Sequence, residues 1–171
     1  TRAKENRAIV AYVNLVGGQD ELVFDGGSLI FDQKGKMIAR EKSFEEAMTI
    51  ADLSIDRALS VGKIVPAISK KLSESEEIYN GLQLGLSDYV TKNRFDKVVI
   101  ALSGGIDSAL TALVAKDALG SKRVIGVFMP SRYTSKESYE DVEKFARNLG
   151  ICLKTISIEP SLCALLDSLS D

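Results

Sequence analysis

Six consecutive residues combine the side chains and the backbone freedom that bind a phosphate group: Ser103, Gly104, Gly105, Ile106, Asp107 and Ser108. Adjacent glycines let the main chain approach an anion closely and adopt backbone angles that a Cβ would forbid. The two serine hydroxyls can donate to phosphate oxygens, and a carboxylate can hold the Mg²⁺ that accompanies a nucleotide phosphate. By average residue usage, the pattern SGGxDS arises by chance on the order of once per million windows. The segment therefore predicts a phosphate-binding loop.

The residues on either side of the loop predict how it is held. Residues 98–102 (VVIAL) form an apolar run typical of a buried strand, and residues 109–119 are rich in strong helix formers. A loop at a strand-to-helix junction presents backbone N–H groups and the positive end of the helix dipole to an anion. The alternative is an ordinary turn in which Ser103 or Asp107 caps the helix. The GxxxxGK[ST] pattern of the common P-loop is absent.

The second half of the chain alternates between helical and strand patterns. Helical spacing of apolar residues predicts a helix over about 74–92, and Ile106, Leu110, Leu113 and Val114 are expected to form the buried face of the helix that opens at Asp107. The further elements predicted are strands at 97–102, 123–128 and 151–158, a helix at 136–149 ended by Gly150, and a short helix from Pro160. This alternation predicts a parallel α/β sheet, in which ligands bind outside the carboxyl ends of the strands.

The first half is predicted to be mostly extended. Residues 7–16 read as one buried strand followed by a turn at residues 17–20. Two short strands, at 27–32 and 36–40, flank a polar loop and predict a hairpin. Residues 43–56 are ambiguous between a helix start and an edge strand, and the polar stretch 60–76, which contains Pro66, predicts a linker.

Composition excludes several classes of function. Twenty-two Lys and Arg against 24 Asp and Glu give a net charge of −2, without the basic patch of a nucleic-acid-binding protein. The absence of histidine excludes Ser–His–Asp triads, Cys–His dyads and histidine metal sites from these 171 residues. Cys152 and Cys163 match neither a zinc-site spacing nor a disulfide framework. No apolar stretch is long enough to span a bilayer.

Three stretches resemble known enzymes. Residues 98–108 (VVIALSGGIDS) resemble the pyrophosphate-binding loop of the N-type ATP pyrophosphatases, a group that includes NAD, GMP and asparagine synthetases and tRNA-thiolating enzymes. Residues 12–28 (YVNLVGGQDELVFDGGS) resemble the late part of the nitrilase-like glutaminase domain of glutamine-dependent NAD synthetases. Residues 127–139 (VFMPSRYTSKESY) resemble the segment after the second strand of the synthetase domain in the same family. The chain is identified as a piece of a member of that family.

The resemblance implies a fold and a domain organisation. A Rossmann-like parallel-sheet segment of the adenine nucleotide α-hydrolase type is expected, preceded by the C-terminal part of a nitrilase-like α/β domain. The expected bounds are 1–62 for the glutaminase segment, 63–76 for a linker and 77–171 for the N-terminal part of the synthetase domain.

The implied activity is the ATP-dependent amidation of nicotinic acid adenine dinucleotide to NAD through an adenylated intermediate. Glutamine supplies the ammonia, ATP and Mg²⁺ are required, and the full-length enzyme is expected to be a cytoplasmic homo-oligomer without nucleic-acid or membrane partners. The alternatives are another amidotransferase-type ATP pyrophosphatase and a non-catalytic nucleotide- or pyrophosphate-binding fragment.

The implied nucleotide-binding residues are Ala101, Leu102, Ser103, Gly104, Gly105, Ile106, Asp107, Ser108, Met129 and Arg132. Residues 101–108 are expected to hold the leaving pyrophosphate, with Asp107 as the magnesium ligand. The main chain of Met129 is expected to contact adenine. Arg132 is either a nucleotide contact, to a phosphate or to the adenine-side ribose, or a solvated loop arginine. The resemblance favours the nucleotide contact.

The resemblance also implies that catalytic parts are missing from these residues. The Glu–Lys–Cys set of the glutaminase is expected upstream of Thr1, and neither cysteine of the chain corresponds to its nucleophile. Later segments that help to bind the dinucleotide and complete the metal site are expected beyond Asp171. No catalytic residue is therefore predicted here, and the chain alone is expected to be inactive.

Overall fold

The structure, a computed structural model, describes residues 2–54, 60–65 and 68–169. The chain divides into two units, Thr1–Asp88 and Tyr89–Asp171, and the division falls within its longest described helix. The first part of the chain contains α1 (Arg2–Asn6), β1 (Val10–Tyr12), β2 (Val16–Gln19), β3 (Leu22–Asp25), β4 (Leu29–Phe31), β5 (Met37–Arg40), β6 (Ile50–Ser54), β7 (Ser60–Val65) and α2 (Glu74–Lys92). The elements that follow are β8 (Val98–Leu102), α3 (Ile106–Leu119), a 3₁₀ turn (Ser121–Arg123), β9 (Val124–Phe128), α4 (Lys136–Leu149), β10 (Cys152–Thr155) and α5 (Glu159–Leu169).

Antiparallel pairs make up the first unit. Its described strands form one sheet in the order β1–β4–β5 and two pairs, β2–β3 and β6–β7. The predicted hairpin is present as β4–β5, and the carboxylate of Asp32 accepts the N–H groups of Lys34 and Lys36, both at 2.9 Å. In the described part of the ambiguous segment, residues 43–54, β6 forms at its end and no helix starts. Residues 60–65, at the start of the stretch predicted as a linker, pair with it as β7, while Pro66 lies outside the described residues.

The single strand and the glycine turn predicted near the start of the chain are both wrong. The extended stretch is broken between β1 and β2, and Gly17 and Gly18 lie inside β2. Gln19 pairs with Leu22, so the two residues between them form the turn. Gly18 is needed for close packing: a Cβ there would lie 3.3 Å from the Cα of Gly85 on α2.

The second unit confirms the predicted fold class. Its three strands form a parallel sheet in the order β10–β9–β8. Leu102 pairs with Phe128, and Phe128 pairs with Thr155, so the three strands end side by side. Alternate residues of β9 are buried, as expected for a strand that packs one face against the core. None of the helices within the described residues combines the length and apolar character that crossing a membrane requires.

The helix after β9 begins and ends where its sequence predicts. The hydroxyl of Ser135 accepts the N–H of Ser138 and caps the N-terminus of α4. Gly150 ends the helix in the left-handed conformation, with φ of 68°. Val142 and Ala146, one turn apart, are buried.

Candidate functional site

The predicted phosphate loop lies at the junction of β8 and α3. Gly105 occupies the N-cap position of α3, and no side chain caps that end of the helix. The alternative in which Ser103 or Asp107 is the cap is therefore wrong. The N–H groups of the first turn lack a capping side chain, and an anion can take its place.

Gly104 allows the loop to fold against the start of α4. Its φ of 85° lies in the region that side chains disfavour. A Cβ at this position would lie 3.4 Å from both Cα and Cβ of Ser138. The backbone conformation therefore favours glycine here, and a Cβ would be in contact with Ser138.

The two serine side chains of the loop hydrogen-bond to the loop itself. The hydroxyl of Ser103 accepts the N–H of Gly105 at 3.2 Å and lies 3.2 Å from the hydroxyl of Ser108. Ser108 accepts the N–H of Ser103 at 3.2 Å and donates to the carbonyl of Gly105 at 3.0 Å. These bonds shape a loop whose residues 103–107 are exposed. The hydroxyls thus order the loop backbone, and the single O–H of Ser108 is donated within the loop.

Asp107 lies exposed in the first turn of α3, and its carbonyl accepts the hydroxyl of Thr111 at 2.9 Å. Within the described ranges no group of three or more Asp, Glu, Cys or His residues could hold a metal ion by itself. Mg²⁺ is commonly bound through one or two carboxylates together with substrate phosphates and water. One exposed carboxylate beside a phosphate loop fits that manner of binding.

The predicted buried face of α3 is wrong in part. Ile106 and Leu110 are 80% and 51% exposed, whereas Val114 is buried. The other buried residues of α3 are Ala112 and Ala115. The small side chains of these alanines let α3 lie close to the sheet, and the larger side chains of Ile106 and Leu110 are exposed to solvent.

A cleft of about 360 Å³ adjoins the loop. One side of the cleft is lined by Leu102, the loop and the start of α3. The α4 residues that line it are Asp141, Val142, Lys144, Phe145 and Asn148. The polar members of the α4 set were missed because polar residues at helical spacing usually form a solvated face. The available signal is that Asp141, Lys144 and Asn148 recur at intervals of three and four residues.

The segment after β9 contains the other two predicted site residues. Met129 is 44% exposed at the end of the strand, where its main chain is next to the end of β8. Arg132 is no free loop arginine, because its Nε donates to the carboxylate of Glu159 and its Nη2 lies 2.9 Å from the Sγ of Cys163. The pKa of Glu159 is held below its usual range by the backbone N–H and guanidinium of Arg132, and this carboxylate raises the pKa of Arg132.

The fold and the loop define a parallel α/β domain with a glycine-rich loop between its first strand and helix. Residues 78–171 match the NAD synthase family, and residues 1–63 match the carbon-nitrogen hydrolase family. The chain belongs to the NAD synthase family, and the two matches occur in the predicted order.

Three relatives illustrate the similarity. The glutamine-dependent NAD(+) synthetase of Aquifex aeolicus is 45% identical over 93% of this chain and 33% of its own length. The structure of the Acinetobacter baumannii glutamine-dependent NAD+ synthetase in complex with ADP has a TM-score of 0.87 at 40% identity, over 98% of this chain and 31% of that one. An NH3-dependent NAD synthetase from Campylobacter jejuni aligns with 58% of this chain and 43% of its own, with a TM-score of 0.54 at 29% identity. The chain spans about a third of the length of the glutamine-dependent relatives.

Proposed function

We propose that this chain forms the junction and the ATP-binding part of a glutamine-dependent NAD synthetase. The observation that carries the proposal is the uncapped N-terminus of α3 behind the SGGIDS loop, in a chain of this family. The Acinetobacter baumannii relative is described in complex with ADP, which supports nucleotide binding by this chain. The enzyme acts on small molecules, and we place it in the cytoplasm as a homo-oligomer.

Different predicted site residues would contact different parts of the nucleotide. Residues 101–108 would hold the β and γ phosphates, chiefly through the N–H groups of the first turn of α3, because an uncapped helix start and a glycine backbone favour an anion. Asp107 would hold the Mg²⁺ bound with ATP, which neutralises phosphate charge. The main chain of Met129 would contact adenine, and Arg132 would contact the nucleotide beside it.

The proposed reaction transfers AMP and then replaces it with nitrogen. The carboxylate of nicotinic acid adenine dinucleotide attacks the α-phosphorus of ATP, and the bond to the β-phosphate oxygen breaks to release pyrophosphate. Ammonia, released from glutamine by hydrolysis, attacks the adenylated carbonyl carbon. AMP departs with the bonding electrons, one proton is released, and the amide of NAD remains. The loop's part is to stabilise the pyrophosphate as it leaves.

The test measures pyrophosphate and ATP binding by calorimetry, and NAD formation with ammonia, in the full enzyme that contains this chain. We expect binding of both anions and ammonia-dependent NAD formation that requires ATP. Binding without NAD formation would favour the alternative of a non-catalytic nucleotide-binding protein. Failure to bind either anion would reject the proposal.

A further inference from the structure

The cleft beside the SGGIDS loop has backbone donors of the loop on one side and a basic side chain of α4 on the other. Gly104, Ile106 and Ser108 line it, and no described residue accepts their backbone N–H groups. Free N–H groups at the start of a helix favour an anion. A volume of about 360 Å³ is within the range of small-molecule sites. Phosphate groups bound to the loop can therefore occupy this cleft.

The basic side chain is that of Lys144. It is exposed, and in the part of the chain that the structure describes no carboxylate forms an ion pair with its ammonium group. Glu140, one turn earlier on α4, lies 3.9 Å from the Nζ of Lys136 instead. The three N–H donors of the Lys144 ammonium group therefore remain available to an anion in the cleft.

The loop itself supplies no cation for the terminal phosphates. In the common P-loop a lysine follows the second glycine and reaches these phosphates, whereas Ile106 follows Gly105 here. Among the described residues that line the cleft, Lys144 is the one with a positive charge. Arg132 is paired with Glu159 and does not line the cleft. Positive charge beside the loop therefore comes from α4.

Asp141 is the other charged residue that lines the cleft. Its spacing of three residues places it on the same side of α4 as Lys144, but the two side chains form no ion pair. The carboxylate therefore does not neutralise the ammonium group. Because a carboxylate repels phosphate oxygens, the favourable charge contact for a phosphate between the loop and α4 is with Lys144.

We propose that Lys144 binds the β and γ phosphates of ATP from the α4 side of the cleft and stabilises the pyrophosphate as it leaves. The inference rests on the proposed function, and it adds a catalytic residue outside the SGGIDS loop. When the bond to the α-phosphorus breaks, negative charge develops on the β-phosphate oxygen. A positive charge fixed near that oxygen stabilises the transition state. Lys144 transfers no proton in this role.

The test compares the affinities of the full enzyme for ATP, AMP and pyrophosphate, measured by calorimetry with Mg²⁺ present. In Lys144→Gln we expect ATP and pyrophosphate to bind about tenfold more weakly, as the loss of one hydrogen bond to a charged donor predicts. AMP lacks the β and γ phosphates, so its affinity should stay within about twofold of wild type. Lys144→Arg keeps the positive charge and should retain most of the affinity for pyrophosphate. Because the lysine is exposed, thermal unfolding of both variants should match wild type.

The matched control is Arg147→Gln, which removes a positive charge from an exposed residue of the same helix that does not line the cleft. It should leave all three affinities unchanged. Wild-type pyrophosphate affinity in Lys144→Gln, an equal loss in Arg147→Gln or Lys144→Arg, or an equal loss of AMP affinity would each overturn the inference. Absence of ATP and pyrophosphate binding in the wild type would instead reject the proposed function.

Discussion

At the scale of single residues, Gly104 shows how one position can influence the shape of the predicted phosphate loop. Its φ of 85° disfavours a side chain, and a Cβ there would lie in contact with Ser138. We expect Gly104→Ala to lower the free energy of unfolding by about 1–2 kcal/mol, the cost of a side chain at positive φ. Because relief of this strain changes the backbone of the loop, pyrophosphate affinity should fall as well.

Gly120 supplies the control for that prediction. It has a φ of 83°, but a Cβ there would meet nothing within 4 Å. Gly120→Ala should therefore lose stability in thermal unfolding while keeping pyrophosphate affinity. Equal affinity in both variants would show that the contact with Ser138 does not shape the binding loop.

A second prediction concerns Asp107, whose carboxylate has two possible roles. As a charge near the helix N-terminus it would contribute roughly 0.3–1 kcal/mol to stability. As the magnesium ligand it would matter when nucleotide is bound. For Asp107→Asn in the full enzyme we expect near-native thermal stability, with NAD formation from ammonia reduced roughly tenfold to a hundredfold, as the loss of one charged contact predicts.

Supplying ammonia bypasses the glutaminase, so a remaining defect in Asp107→Asn lies in adenylation. Asp117→Asn, at the opposite end of the same helix, should keep full activity. If Asp107→Asn keeps its activity and only melts earlier, the carboxylate stabilises the helix and the metal assignment fails.

The position of the loop between a strand and a helix was predictable because its residues are consecutive. Its glycines and hydroxyl and carboxyl side chains are also types that commonly bind phosphate. The pairing of Arg132 with Glu159 was not predictable, since 27 residues separate them. It depends on the register of β9 with β10 and on the two backbone bonds that extend this pairing. Neither apolar periodicity nor residue type reports a register.

At the scale of elements, α2 begins with a reciprocal cap. The hydroxyl of Ser73 accepts the N–H of Glu76 at 3.3 Å, and the carboxylate of Glu76 accepts the N–H of Ser73 at 2.8 Å. The Ser73 N–H, together with its hydroxyl, holds the pKa of Glu76 below its usual range. Sequence places this helix well because the cap and the apolar spacing agree.

The cap predicts a pH dependence for the start of α2. A carboxyl group whose pKa is lower in the folded state contributes stability above its unfolded pKa, and this contribution disappears as pH falls through the folded pKa. We expect hydrogen exchange at the first turn of α2 to accelerate as pH falls below the ordinary range of a glutamate, after correction for intrinsic exchange rates. Glu76→Gln should remove most of this pH dependence, and Glu74→Gln should retain it. An identical profile in wild type and Glu76→Gln would contradict the assignment.

The glycines near α2 show what element prediction misses. Gly17 and Gly18 look like a turn because adjacent glycines usually punctuate the chain. In the structure Gly18 lies in a strand, and the carboxylate of Asp88 accepts its N–H at 2.8 Å. The use of glycine for close packing depends on a helix 70 residues away, which local sequence does not reveal.

At the scale of the whole molecule, the chain joins segments of two families. The carbon-nitrogen hydrolase match covers residues 1–63, and the NAD synthase match covers residues 78–171. Three short sequence stretches were sufficient to predict both families and their order. The domain bounds 1–62, 63–76 and 77–171 stay a prediction, which limited proteolysis of the full enzyme can test through cleavage between residues 63 and 76.

The last prediction concerns glutamine. The family resemblance implies that the glutaminase nucleophile is a cysteine of the nitrilase-like domain. Both cysteines of this chain lie instead in the segment that matches NAD synthase. Cys152 is exposed on β10, and Cys163 lies beside Arg132 and Glu159. The 171-residue chain should therefore release no glutamate from glutamine, and glutamine should not protect either thiol from mild labelling. Glutaminase activity that disappears in Cys152→Ser or Cys163→Ser would show that the assignment of the two segments is wrong.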